Sequence, residues 1–207
     1  MKYLDFYNKL NSMEDKQCIE SLIVYNASQV IAGVKPASTM TLKKTGENLC
    51  YKWNKFGRAF VKSIDLEFIE LRESDESIII MLYNKELLES SIFKKEHKMF
   101  LTKLGYDEND DIYIYLDKLK VRYDLYHCPH ELGLFLGIPI RDVKDFMECT
   151  KKKCLLCGYW KVYNDCNKAK KIFCQYDEIK EHTLSQILDG SNSRDLAFSI
   201  KNFFCSP

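Results

Sequence analysis

Apolar residues recur along the chain in two rhythms, and the points where one gives way to the other divide it into elements. After Ser12, residues Cys18, Leu22, Ile23 and Asn26 fall at helical spacing, which predicts a first helix reaching the middle twenties. Val30 to Val34 is then a largely β-branched run halted by Lys35-Pro36, the pattern of a short strand ending in a loop. Leu49, Trp53, Phe56 and Phe60 recur at three and four, predicting a second helix from Glu47. Leu66, Phe68, Ile69 and Leu71, a polar stretch, and the isoleucine-rich 77–83 predict a β-hairpin whose second strand is central and buried.

Further on, Asn84 caps a helix carrying Leu87, Leu88 and Ile92, and the same signal runs through His97, Phe100, Leu101 and Leu104 to Gly105. Ile112, Leu116, Leu119 and Tyr123 form the next stripe. Pro129 and Pro139 suit the first positions of two successive helices, the second using Ile140, Val143, Phe146 and Met147. Gly158 to Tyr163 alternates as a strand expected to join the hairpin sheet. Helices bearing Ala169, Ile172, Phe173 and Tyr176, then Leu196, Ile200 and Phe203, close the chain. The sum is an α+β fold, a single domain over 1–207, with a small, mostly antiparallel sheet of about four or five strands covered by about seven or eight helices.

Composition narrows the function classes. Thirty-one Lys and Arg oppose 30 Asp and Glu, a net charge of +1, so no global field draws nucleic acid or an anionic membrane. A helix-turn-helix at Pro129–Met147 would also turn Asp142, Asp145 and Glu148 toward phosphate. No apolar run approaches the ~20 residues of a membrane helix. Asp5, Glu14 and Asp15 interrupt any signal-peptide core, so the expectation is a cytoplasmic protein. Nine cysteines, an odd number without an export signal, are expected as free thiols.

Three blocks stand out: Ala32-Gly33-Val34-Lys35-Pro36-Ala37-Ser38, then Pro129-His130-Glu131-Leu132-Gly133-Leu134-Phe135-Leu136-Gly137, then Gly158-Tyr159-Trp160-Lys161-Val162-Tyr163. In this order they resemble the bacterial domain of unknown function 3793 family, common in clostridia and their relatives. The resemblance spans nearly the whole chain and implies no reaction. Relatives often carry an aromatic residue before Pro-His-Glu and a glycine after the last tyrosine, where this chain has Cys128 and Asn164. The departure at Cys128 argues against that thiol as a shared nucleophile.

The second block carries the densest chemistry. With Pro129 at the first helical position, Cys128 is the cap, and His130 and Glu131 lie where unpaired N–H groups give roughly half a positive charge. That field favours a Cys128 thiolate and a neutral His130, fit to accept a proton or bind a metal; Glu131 is placed for capping. The plainer readings are a structural histidine and a small buried thiol. Leu134 stands where a zinc-peptidase signature would need its second histidine.

Cys154-Leu155-Leu156-Cys157 can grip a transition metal or an iron–sulfur cluster, shuttle a disulfide, or be inert; Cys149 and Cys166 are available as further ligands but form no second C-x-x-C. Lys35 and Ser38 offer a cation and a hydroxyl to an anionic ligand, and Trp160, Lys161 and Tyr163 a wall beside it. The leading expectation is a binding or accessory protein whose pocket, walled by these three segments, takes a metal or small anionic ligand, with His130, Cys154 and Cys157 as metal ligands. The alternatives are an enzyme with His130 as general base or metal ligand, supported by Glu131 and Cys128, and an interaction module without a small-molecule site.

Overall fold

The computed structural model describes residues 2–46, 48–148 and 151–204. The chain packs into two compact units, one made of residues up to 85 with those from 178 onward, the other of residues 86–177.

The first unit opens with α1 (Lys2–Asn11) and α2 (Asp15–Ile31), followed by β1 (Ala37–Lys43). Helix α2 is buried along most of its length, from Cys18 to Ile31. Val30 and Ile31, expected in a strand, are instead its last turn. The helical stripe of Ile19, Ile23, Ala27 and Val30 continues unbroken into them, and burial on one helix face outweighs the weak strand preference of β-branched residues. Gly33, at φ +70°, ends the helix and turns the chain into β1.

Next come α3 (Leu49–Lys52), a π turn (Trp53–Gly57) and α4 (Arg58–Ser63), which together occupy the predicted second helix. Strands β2 (Glu67–Glu73) and β3 (Ser77–Tyr83) form the expected hairpin. The sheet runs β1-β3-β2, antiparallel throughout, with β3 central and Ile78, Ile80, Met81 and Leu82 buried. Ala37 lies opposite Tyr83 in one ladder, and Glu67 opposite the same residue in the other.

The second unit holds α5 (Lys85–Ile92) from its second residue on, α6 (Lys95–Lys103), α7 (Ile112–Tyr126), α8 (Leu132–Phe135), α9 (Ile140–Met147), β4 (Leu156–Cys157) and β5 (Lys161–Val162). The signal from Asn84 to Gly105 is two helices rather than one. Asp111 caps α7, its carboxylate accepting from the N–H groups of Tyr113 at 2.9 Å and Ile114 at 3.0 Å. Helix α10 (Cys166–Leu188) crosses the boundary at 177/178, and α11 (Ser193–Phe204) ends the first unit.

The architecture is α+β with a sheet smaller than expected. Strands β4 and β5 pair with each other and form a sheet of their own, so the Gly158–Tyr163 stretch does not extend the three-stranded sheet. No helix among the described residues is long and apolar enough to cross a membrane.

Candidate functional site

The second sequence block begins where α7 stops. His127 adopts a left-handed conformation, φ +61°, and Pro129 follows one residue after Cys128. Three successive tight turns then form, as Leu132, Gly133 and Leu134 donate to the carbonyls of Pro129, His130 and Glu131 at 3.0, 3.1 and 2.9 Å. The helix they lead into, α8, has four residues. The expected proline-started helix is therefore corrected: Pro129 opens a chain of turns, Cys128 is not a helix cap, and a four-residue helix supplies little of the dipole invoked for Cys128 and His130. Pro139 likewise precedes α9 by one residue.

Neighbouring positions in this block point to different surroundings. Cys128 and His130 are exposed, against the plainer expectation of a small buried thiol. The His130 ring meets the edge of Phe146, centroids 4.9 Å apart. Glu131 is 1 % exposed and makes no capping bond. Its carboxylate pairs with the Arg122 guanidinium and lies 3.4 Å from the Tyr106 hydroxyl. The pairing holds Arg122 above its usual range, and burial with the Glu131 charge pushes the Tyr106 hydroxyl far up. Glu131 is thus committed to a buried ion pair, not free to assist His130.

The third block docks on α9 through Asp142, which the sequence marks only as one of the acids unsuited to facing phosphate. Asp142 is 3 % exposed. One carboxylate oxygen accepts from the Trp160 indole N–H at 2.9 Å. The other accepts from the backbone N–H of Tyr163 and Asn164 and from the Asn164 amide, at 3.0, 3.1 and 2.8 Å. Four donors satisfy a buried charge, and in doing so fix the β4–β5 hairpin against α9. The Asn164 amide also donates to Asp145, which Lys152 holds below the usual carboxylate range.

Between these segments lies a cavity of about 350 Å³. Pro129, Leu132, Leu136, Ile138, Val143 and Phe146 give it an apolar wall, and Tyr159, Trp160 and Lys161 close the other side. Gly133 contributes by its smallness, since a Cβ there would stand 3.0 Å from Val143. With Asp142 saturated, His130, Lys161 and Cys128 are the side chains left to offer polar contacts at its edge. The Lys161 ammonium rides 5.5 Å from the Phe146 ring centroid.

Of the expected ligand residues, Trp160 and Lys161 line this cavity, while Tyr163 supplies its backbone N–H to Asp142 and does not line it. Lys35 and Ser38 belong to the first unit. Ser38 is buried in β1 and donates to the Asn26 carbonyl at 2.9 Å, so its hydroxyl is spent on the fold rather than offered to a ligand. Burial, aided by the nearby Lys180 charge, lowers Lys35 to about 8.

The Cys154 and Cys157 sulfurs stand 3.4 Å apart at the protein surface. Among the described residues no group of three or more His, Cys, Asp or Glu side chains is placed to hold a metal ion, so His130 does not join the two thiols in a metal site. Cys149 lies outside the described residues, and Cys166 is half-buried on α10.

These features define an α+β protein with an apolar, cation-edged cavity in its second unit. The model of the family described as "Protein of unknown function (DUF3793)" matches residues 23–197, and the chain belongs to that family. No curated protein and no solved structure matches the chain.

Proposed function

We propose that this protein is a binding module for a small ligand with an apolar body and an anionic end, seated in the cavity between the Cys128–Ile138 segment and the Tyr159–Lys161 wall. The observation that carries the reading is the division of labour in the lining. Asp142, the buried acid, is consumed by four donors from the opposite wall, which leaves apolar carbon inside and Lys161 and His130 at the edge. A volume of about 350 Å³ falls within the range of small-molecule sites, ~300–1,000 Å³. Lys161 offers the charge, and the Phe146 ring beneath it favours the extended side chain.

Anilinonaphthalene sulfonate, an aromatic body with one anionic group, is a suitable probe, and neutral phenylnaphthylamine is its uncharged counterpart. Titration by fluorescence is expected to show one saturable site for both. Lys161→Glu should weaken the sulfonate about fivefold to tenfold, roughly 1 kcal/mol, and leave the neutral probe unchanged. Leu136→Trp, which fills the cavity, should weaken both. Equal binding of both probes by wild type and both variants would overturn the assignment.

A further inference from the structure

The C-x-x-C pair has a geometry that the cavity does not use. Cys154 lies two residues before β4 and Cys157 is the strand's second residue, both exposed, with sulfurs 3.4 Å apart. An S–S bond is ~2.05 Å long, so ~1.4 Å of approach, within reach of side-chain rotation, would join them. Across the hairpin Cys157 is paired with Lys161, whose positive charge favours a thiolate there. The stronger influence is the Cys154 sulfur itself, which holds the Cys157 proton above the usual thiol range. A Cys157 thiol kept protonated beside a second sulfur is suited to the resolving role in exchange. A zinc site would need two more ligands, and among the described residues no third His, Cys, Asp or Glu side chain completes a group with this pair.

We propose that Cys154 and Cys157 form a thiol–disulfide exchange site for small-molecule disulfides, independent of what the cavity holds. One Cys thiolate attacks a sulfur of R–S–S–R, forming a protein mixed disulfide as the R–S–S–R bond breaks, and RS⁻ leaves and takes a proton from water. The second Cys then loses its proton to solvent and attacks the protein sulfur of the mixed disulfide, expelling a second RS⁻. The pair gives up two electrons and two protons, and the small disulfide leaves as two RSH.

The pair can be read without interference from the other cysteines, because tryptic cleavage after Lys153 and Lys161 releases a peptide holding Cys154 and Cys157 alone. The full chain is equilibrated with reduced and oxidised glutathione at a series of ratios, quenched in acid, alkylated and digested. As the ratio becomes oxidising, the doubly alkylated peptide is expected to give way to one that carries no alkyl group and is two hydrogens lighter than the dithiol. Dithiothreitol should reverse the change. Cys154→Ser and Cys157→Ser should each instead retain one glutathione on the remaining sulfur. The proposal is overturned if both sulfurs stay alkylatable at the most oxidising ratio, or if wild type keeps a stable glutathione adduct. It is equally overturned if added zinc binds one to one and shields both sulfurs from alkylation.

Discussion

Asp142 shows how much of the site rests on a single side chain. A carboxylate 3 % exposed is tolerable only because four N–H groups from three half-buried residues, Trp160, Tyr163 and Asn164, donate to it. Asp142→Ala strands them and is expected to cost about 3–4 kcal/mol, read as a lower urea midpoint, with Asp142→Asn in between. Its role was not legible in the sequence, where it looks like an ordinary acid in the first turn of a helix. Three of its four partners come from Tyr163 and Asn164, 21 and 22 residues later. Glu131 is the converse case: its position invites a cap or a supporting role beside His130, and only the approach of Arg122 reveals an ion pair.

Lys35 gives a second test at this scale. Its folded value of about 8 lies below the ordinary 10.5, so the unfolded chain holds the proton more tightly. The resulting cost is full below about pH 8 and is relieved as the pH rises toward 10.5, so the stability traceable to Lys35 increases with pH across that window. Lys35→Met is expected to be more stable than wild type at pH 7 by about 1–2 kcal/mol. The gap should narrow by pH 10; a constant gap in urea midpoints would show that the lysine is not strained.

Among the elements, the β4–β5 hairpin is the one whose form matters most to the cavity, and glycine makes it possible. A Cβ at Gly158 would come within 2.3 Å of the Phe173 ring on α10, so the strand connection approaches that helix as closely as it does only without a side chain. Gly158→Ala is expected to destabilise the protein by about 1–3 kcal/mol and to weaken binding of the neutral naphthylamine probe, since Tyr159 and Trp160 move with the turn. Thermal unfolding and the probe titration read the two effects separately. A comparable contact sits in the π turn, where a Cβ on Gly57 would meet the Trp53 ring at 2.5 Å. Helices and the hairpin of the first unit were legible from their 3.6 and 2.0 periods. Element ends were not: α2 ran through a strand-like sequence, and α8 stopped after one turn where two prolines suggested more.

At the scale of the molecule, local rhythm determined a good deal. The spacing of apolar residues is a property of neighbours along the chain, so the sequence by itself carried the α+β class and the antiparallel hairpin with its buried central strand, while the three blocks at 32–38, 129–137 and 158–163 carried the resemblance to the family. It also singled out Trp160, Lys161 and His130, all of which line the cavity. What only the tertiary structure decided was which distant groups meet. It divided the chain into two compact units, kept β4 and β5 as a sheet of their own, tied Glu131 to Arg122, and closed the Asp142 network. The Asp142 network depends on a desolvated carboxylate finding donors 18 to 22 residues away, and all four outcomes depend on which surfaces pack together, which the local spacing of apolar residues does not encode.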